Sequence, residues 1–168
     1  MSVDEMSALA AGLGDQLRWV ARVEAPALPP AAHLVVCGMG GSGIAGDFAA
    51  AAATVPVTVH KGYGLPAWVE STRPLVVAVS YSGNTEEVLD AASHAGKLGL
   101  SVAWVASGGE LAAAGEEAGW PGVTIPSGLP PRASLGYLVG AVMRLMAAAG
   151  ALPDPESDLN AAADVVEL

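Results

Sequence analysis

The sequence predicts an α/β fold, a three-layer αβα sandwich built around a five-stranded parallel sheet. Two observations support this prediction. Short valine-rich runs alternate along the 168-residue chain with segments of helical periodicity, and each run is continuously apolar, as strands buried on both faces are. Strand–helix–strand units with short loops take right-handed crossovers, which build a parallel sheet with helices on both sides.

Five runs are expected to form the strands. They are "HLVVC" (33–37), "VPVTV" (55–59), "PLVVAVS" (74–80), "SVAWVA" (101–106) and "GVTIP" (122–126). Helices are predicted at 3–23, 43–53, 84–98, 110–118 and 132–149. We expect a flavodoxin-like strand order, 2-1-3-4-5, whose switch point lies between strands 1 and 3. The loops after Cys37 and Val79 should therefore line one ligand site.

Prolines divide the chain into three segments. Residues 1–30 hold the first helix and a proline-rich lead-in, and residues 31–152 hold the predicted sheet domain. Residues 153–168 begin another helix, with Asp154 as its N-cap and Pro155 at its first helical position. Because its apolar stripe is cut short at Leu168, we interpret it as the start of a linker helix to an absent second domain.

Charge and composition narrow the classes of function. The net charge is −10, and only seven Lys and Arg residues occur, without any cluster; we therefore expect no nucleic-acid partner. The absence of a long apolar run predicts no membrane partner. One cysteine, Cys37, fits a reducing compartment and a cytoplasmic protein. An anion site in so acidic a chain must rely on backbone N–H groups and hydroxyls.

A glycine loop follows the first predicted strand. "GMGGSG" (38–43) matches the G-x-G-x-x-G pattern of dinucleotide-binding proteins, and Ser42 adds a hydroxyl. That function also calls for an acidic residue after the second strand to hold the ribose. His60 and Lys61 stand there instead. The missing acid weakens the case for a nicotinamide-cofactor site, although Lys61 could still bind the 2′-phosphate of NADP. A crowded strand-to-helix turn that binds no ligand is the other alternative.

A second cluster follows the third strand. Ser80, Ser82 and Thr85 lie within six residues, where a buried strand gives way to a helix. Thr85 is in position to cap the helix. Three hydroxyls beside exposed N–H groups at a helix N-terminus favour a phosphate site. The P-loop pattern G-x-x-x-x-G-K-[ST] is missing from the sequence, which excludes that class of nucleotide site.

Three segments together resemble a known family. "GMGGSGIAGD", "VSYSGNTEE" and "PPRASLGYL" are similar to the sugar isomerase (SIS) domain, and more narrowly to the N-terminal half of the bifunctional phosphoglucose/phosphomannose isomerases. Asp47 belongs to the same pattern, but a cap or packing role is equally consistent with its place. Arg132 is expected to begin the last helix, where a cation is unfavourable for the helix dipole, so a functional role is favoured.

The resemblance implies a set of roles. The phosphate of glucose 6-phosphate, fructose 6-phosphate or mannose 6-phosphate would bind Ser80, Ser82 and Thr85, and Gly40, Gly41 and Ser42 would form the substrate-binding loop. Arg132 would stabilise the enediolate of an aldose–ketose isomerisation. The resemblance implies neither a metal nor a cofactor. It also implies that the protein forms a homodimer.

The family's glutamate base, with a histidine and a lysine, would come from a second SIS domain beyond these residues. A stand-alone sugar-phosphate sensor or partner-binding module is the alternative left open.

Overall fold

Five parallel strands form a single sheet in the computed structural model, which describes residues 7 and 9–167. The strands are β1 (Leu34–Cys37), β2 (Val57–His60), β3 (Leu75–Ser80), β4 (Val102–Ala106) and β5 (Gly122–Thr124). Their order across the sheet is β2-β1-β3-β4-β5, and every neighbouring pair is parallel. The predicted fold class and strand order are confirmed.

Helices connect the strands and cover both faces of the sheet. They are α1 (Leu13–Ala21), α2 (Gly40–Ala51), α3 (Val69–Thr72), α4 (Glu86–Lys97), α5 (Gly109–Glu117), α6 (Leu135–Ala148) and α7 (Glu156–Val166). A 3₁₀ turn at Pro131–Ala133 precedes α6. The short helix α3 was not predicted from the sequence.

The strands bury alternate side chains on opposite faces, as the two-residue period of a strand requires. Val36 and Val77 pack into a core that includes α1, α2, α6 and α7. Val35 and Val76 pack with α3 and α4 on the opposite face. Burial on both sides explains why these strands are continuously apolar in sequence.

The starts of three helices differ from the predictions, and α2 begins at Gly40 rather than at residue 43. The helix predicted at 132–149 is interrupted at Ser134, whose backbone (φ −109°, ψ 16°) is not helical, so Arg132 lies in the 3₁₀ turn before α6 rather than on the helix. Pro155 is the N-cap of α7, not its first helical residue. The Asp154 carboxylate still accepts a hydrogen bond from the Glu156 N–H at 3.1 Å, so its capping role is displaced by one residue.

The first and last helices pack on each other. Leu159 and Ala163 of α7 are buried in the same core as Leu17 and Val20 of α1. Of the helix predicted at 3–23, residues 3–6 and residue 8 lie outside the described residues. Nowhere in residues 9–167 is there a helix both long and apolar enough to cross a membrane.

Cys37 ends β1 and is 1% exposed, and this burial raises the pKa of its thiol to about 12. We expect iodoacetamide at pH 8 to leave the folded chain unmodified and to alkylate one thiol per chain in denaturant, because the thiolate is the nucleophile. Equal labelling of folded and unfolded chain would contradict the burial.

Since the folded pKa lies above the unfolded value of 9.0, stability should fall as the pH rises through 9.

Candidate functional site

Two of the predicted site segments follow neighbouring strands at the carboxyl edge of the sheet. β1 and β3 are neighbours, and each is followed by a loop that enters a helix. The loop after β1 leads into α2, whose first turn carries Gly40, Gly41 and Ser42, while the loop after β3 leads into α4. These two loops flank the switch in strand order, where ligands bind in sheets of this kind.

The hydroxyl loop, Ser80–Thr85, folds back on itself. The buried Ser80 hydroxyl lies 2.8 Å from the Thr85 hydroxyl and accepts a hydrogen bond from the Gly83 N–H at 3.1 Å. The exposed Ser82 hydroxyl accepts one from the Asn84 N–H at 3.2 Å. The structure therefore brings two of the three predicted hydroxyls into contact and places the third in the same turn.

Thr85 occupies the N-cap position of α4 but does not cap the helix with its side chain. Its hydroxyl pairs with Ser80 instead, so the expected capping bond is absent. The first turn of α4 is left without a side-chain acceptor from its N-cap residue. Unsatisfied N–H groups and the positive end of the helix dipole suit this turn to an anion.

The hydroxyl loop is held from the side of β4 by contacts that the sequence analysis missed. The Tyr81 carbonyl accepts hydrogen bonds from the Ser107 hydroxyl at 2.7 Å and from the Ser107 N–H at 2.9 Å. The Asn84 side-chain carbonyl accepts one from the Glu110 N–H at 3.0 Å. The loops after β3 and β4 therefore form one hydrogen-bonded unit that fixes the shape of the hydroxyl loop.

Tyr81 also ties in the chain that follows β5. Its hydroxyl donates to the Pro126 carbonyl at 3.1 Å and accepts from the Leu129 N–H at 2.9 Å. The phenol is 6% exposed. In the sequence, a large aromatic residue between the two serines of a polar loop indicates that its side chain is buried and fixes the loop in place.

The substrate-binding loop predicted at Gly40–Ser42 is the first turn of α2. Met39 is the N-cap of this helix and supplies no side-chain cap. Ser42 is 8% exposed. A second helix N-terminus without a side-chain cap thus faces the same edge of the sheet as α4.

Arg132 lies beside this turn. A cleft of about 380 Å³ is lined by Gly41, Ile44, Pro131, Arg132 and Leu135. Arg132 itself is exposed. The structure therefore brings the predicted arginine next to the predicted glycine loop, although they are about 90 residues apart in sequence.

Lys61 and Asp47 form an ion pair with 2.6 Å between the lysine Nζ and the aspartate Oδ2. Both side chains are about half exposed, 44% and 51%. Asp47 lies inside α2, so it does not cap that helix. Lys61, the residue that could have bound the 2′-phosphate of NADP, is thus paired with a carboxylate. This pairing weakens the interpretation of the glycine loop as a dinucleotide site further.

Two of the three histidines make structural contacts. The His33 ring stacks on Trp68 with centroids 4.7 Å apart, and its Nε2 lies 3.2 Å from the Thr58 hydroxyl. His60 Nε2 lies 3.2 Å from the Tyr63 carbonyl. Across residues 9–167, no group of three or more His, Cys, Asp or Glu side chains is arranged to hold a metal ion.

The loop after β2 reaches over to α4. The Tyr63 hydroxyl donates to Glu86 at 3.1 Å, and the Gly64 N–H donates to Asp90 at 2.6 Å. The hydrogen bond to Glu86 and the charges of the neighbouring acids raise the pKa of Tyr63 above its usual value. The first turn of α4 also carries the carboxylates of Glu86 and Glu87, and the bond from Tyr63 occupies one oxygen of Glu86.

Comparison with known proteins gives matches to sugar-phosphate enzymes. The chain is 45% identical over 108 residues to a bifunctional phosphoglucose/phosphomannose isomerase of Caldicellulosiruptor bescii, a match that covers 62% of this chain and 32% of the relative. It is 36% identical over 149 residues to the enzyme of the same name from Aquifex aeolicus, covering 86% of this chain and 46% of the relative. The chain thus spans between a third and a half of these relatives. No family model matches it.

Solved structures share the fold. The C-terminal domain of glucosamine-fructose-6-phosphate aminotransferase from Francisella tularensis is 16% identical with a TM-score of 0.65, covering 96% of this chain and 53% of that one. The Vibrio vulnificus NanR protein complexed with ManNAc-6P is 21% identical with a TM-score of 0.54, covering 97% and 68%.

The strand order, the two loops at the switch point and these matches lead to one assignment. The chain belongs to the family of bifunctional phosphoglucose/phosphomannose isomerases and has the fold of a sugar isomerase (SIS) domain.

Proposed function

We propose that this domain binds the phosphate group of a hexose 6-phosphate at the N-terminal turn of α4. Ser80, Ser82 and Thr85 would supply hydroxyl donors, and the first N–H groups of the helix would complete the cradle. The observation that carries the proposal is the pairing of Ser80 with Thr85 at 2.8 Å beside a helix without a side-chain cap. An incoming phosphate would replace this internal pairing with charge-assisted hydrogen bonds, which are stronger.

The sugar would lie towards α2 and the 3₁₀ turn. Gly40 and Gly41 carry no side chains, so a sugar can approach their backbone, and Ser42 adds a hydroxyl. Arg132 shares a cleft with Gly41 and would face the reacting carbons. The names of the relatives support glucose 6-phosphate, fructose 6-phosphate and mannose 6-phosphate as ligands, and the NanR complex supports phosphosugars as a class.

The reaction we propose for the whole protein is aldose–ketose isomerisation through an enediolate. A base moves a proton between adjacent carbons, and negative charge develops on the enediolate oxygen. A guanidinium fixed beside that oxygen stabilises the transition state more than the substrate. By its resemblance to the family, the glutamate base comes from a second SIS domain, so this chain alone should bind substrate without turning it over.

We also propose that two copies of the domain associate. Ile44 and Phe48 on α2 are 45% and 58% exposed. They extend an apolar surface that includes Leu135 and Val139 of α6. Surfaces of this kind mark protein contacts.

Replacing Ser80 and Thr85 with alanine together should weaken binding of fructose 6-phosphate about a hundredfold or more, because each hydrogen bond to a charged group contributes roughly 1.5–3 kcal/mol. Calorimetric titration and ligand-induced shifts in Tm measure this loss. A matched control replaces Ser93 and Ser101, two exposed serines away from the site, and should retain the wild-type affinity. A wild-type chain that shows no shift at millimolar fructose 6-phosphate would contradict the proposed function.

A further inference from the structure

We propose that Gln16 is a positioning residue that sets the place of Arg132. This inference rests on the proposed function, in which Arg132 contacts the sugar phosphate. Gln16 lies on α1, far from Arg132 in sequence, and its side chain is 4% exposed. It is one of four buried polar or charged residues among those described.

The Gln16 amide is bonded at both ends to the segment that carries Arg132. Its Nε2 donates to the Ala133 carbonyl at 2.7 Å. Its Oε1 accepts from the Gly136 N–H at 3.0 Å and from the Tyr137 N–H at 3.4 Å. One side chain therefore joins the 3₁₀ turn to the first turn of α6, on either side of the break at Ser134.

Gln16 acts as the cap that α6 lacks. Ser134 is the N-cap residue of α6 but makes no capping bond; its hydroxyl points back to the 3₁₀ turn and donates to the Pro131 carbonyl at 2.8 Å. The first N–H groups of α6 would otherwise be buried without an acceptor, which is costly. An amide is the side chain that suits this place, since it donates and accepts at once; a carboxylate only accepts, and an apolar chain does neither.

Two glycines allow α1 to approach α6 this closely. A Cβ at position 136 would lie 2.8 Å from the Gln16 Cβ, and a Cβ at position 140 would overlap the Val20 side chain. Gln16 and Val20 are one turn apart on α1, as Gly136 and Gly140 are on α6, so the ridge of one helix fits the groove of the other. Gly136 ends the "PRASLG" segment that carries Arg132. The close approach of Gln16 explains why a residue without a side chain stands at this position.

The guanidinium of Arg132 depends on this backbone for its place. Among the described residues, Arg132 takes part in none of the ion pairs. Its neighbour Ala133 is 9% exposed and gives its carbonyl to Gln16. Loss of the Gln16 amide would release the turn and move the guanidinium relative to Gly41, while the hydroxyl loop, held by Ser107 and Asn84, would stay in place.

The experiment compares two probes on Gln16→Met, a variant of similar length without hydrogen-bonding groups. Fructose 6-phosphate reports on the phosphate cradle and Arg132 together, and inorganic phosphate reports on the cradle alone. We expect the Kd for fructose 6-phosphate to rise about tenfold or more, with the Kd for phosphate unchanged. The double variant Gln16→Met with Arg132→Ala should bind no more weakly than Arg132→Ala alone, because the two residues act through one contact.

Arg144→Met is the matched control. Arg144 joins α6 to the chain just after α1 through a 2.7 Å hydrogen bond from its Nε to the Val23 carbonyl, at the opposite end of the same helix pair. Its loss should lower Tm without changing either Kd. Should Gln16→Met fail to fold, Gln16→Glu retains the acceptor for Gly136 and sets a carboxylate oxygen against the Ala133 carbonyl in place of the donor, and it should give the same split between the two probes.

Three results would overturn the inference. They are an unchanged Kd for fructose 6-phosphate, an equal loss for both probes, and a full additional loss in the double variant. Failure of the proposed function has a different signature, because the wild-type chain would then bind neither fructose 6-phosphate nor inorganic phosphate, and the role of Gln16 would fall with it.

Discussion

Replacing Gly83 with alanine is expected to lower the free energy of unfolding by about 3–4 kcal/mol, from a left-handed backbone and an overlap with a neighbouring loop. Gly83 has φ +73°, and a Cβ there would overlap the backbone carbonyl of Gly108. Neither group is able to rotate away, since both belong to the backbone. The Gly83 carbonyl also accepts the Leu111 N–H at 2.9 Å, so a shift of this turn would break a further bond.

Gly128 provides the control for Gly83. Its φ is +96°, and a Cβ there would meet nothing within 4 Å. Gly128→Ala should therefore cost only the conformational part, about 1–2 kcal/mol. Urea unfolding curves measure both variants, and phosphate titration of Gly83→Ala should show lost binding because the Ser80 hydroxyl accepts from the Gly83 N–H. Equal destabilisation by the two substitutions would show that the overlap with Gly108 is relieved at no cost.

Gly140→Ala should be the second most damaging of these substitutions, lowering the free energy of unfolding by about 2–3 kcal/mol through overpacking. On an exposed helix the same change would stabilise by about 1 kcal/mol. The difference arises because Val20, 0% exposed, fills the space that the new methyl group would enter.

A compensating substitution tests that cause. Val20→Ala alone leaves a cavity and should destabilise the chain, but in combination with Gly140→Ala the new methyl group occupies part of it. We expect the double variant to be at least about 1 kcal/mol more stable than the sum of the single effects predicts. Additive effects would place the damage elsewhere than in the contact between α1 and α6. Gly62→Ala, where the nearest atoms are His60 ring atoms at 3.9 Å, is a neutral reference.

Sequence reasoning was most successful where local pattern and physics coincide. Valine-rich runs predicted all five strands, including the partly exposed edge strands β2 and β5, and short connections between strands and helices leave few topologies besides a parallel sheet. The spacing of Ser80, Ser82 and Thr85 predicted that these hydroxyls lie in one turn, which the structure shows. Their role in binding phosphate stays a prediction.

Contacts made by packing were not predictable in the same way. The bond between Gln16 and Ala133 joins residues 117 positions apart, and nothing local to α1 distinguishes this glutamine from a solvent-exposed one. Gly136 and Gly140, spaced one helical turn apart, indicate that another helix packs closely against α6. They do not indicate which helix it is. Thr85 stands at the N-cap of α4, where the sequence left both capping and phosphate binding open; its hydroxyl lies 2.8 Å from that of Ser80 and does not cap the helix, an arrangement that depends on the strand geometry.

The hydrogen bond between Gln16 and Gly136 also has a consequence for folding during translation. The two residues are separated by 120 positions, so α1 leaves the ribosome long before its partner helix exists. At 5–20 residues per second, the wait is about 6–24 s. During that interval the apolar stripe of α1 has no native surface to cover it, and the nascent chain presents it to chaperones and to neighbouring chains.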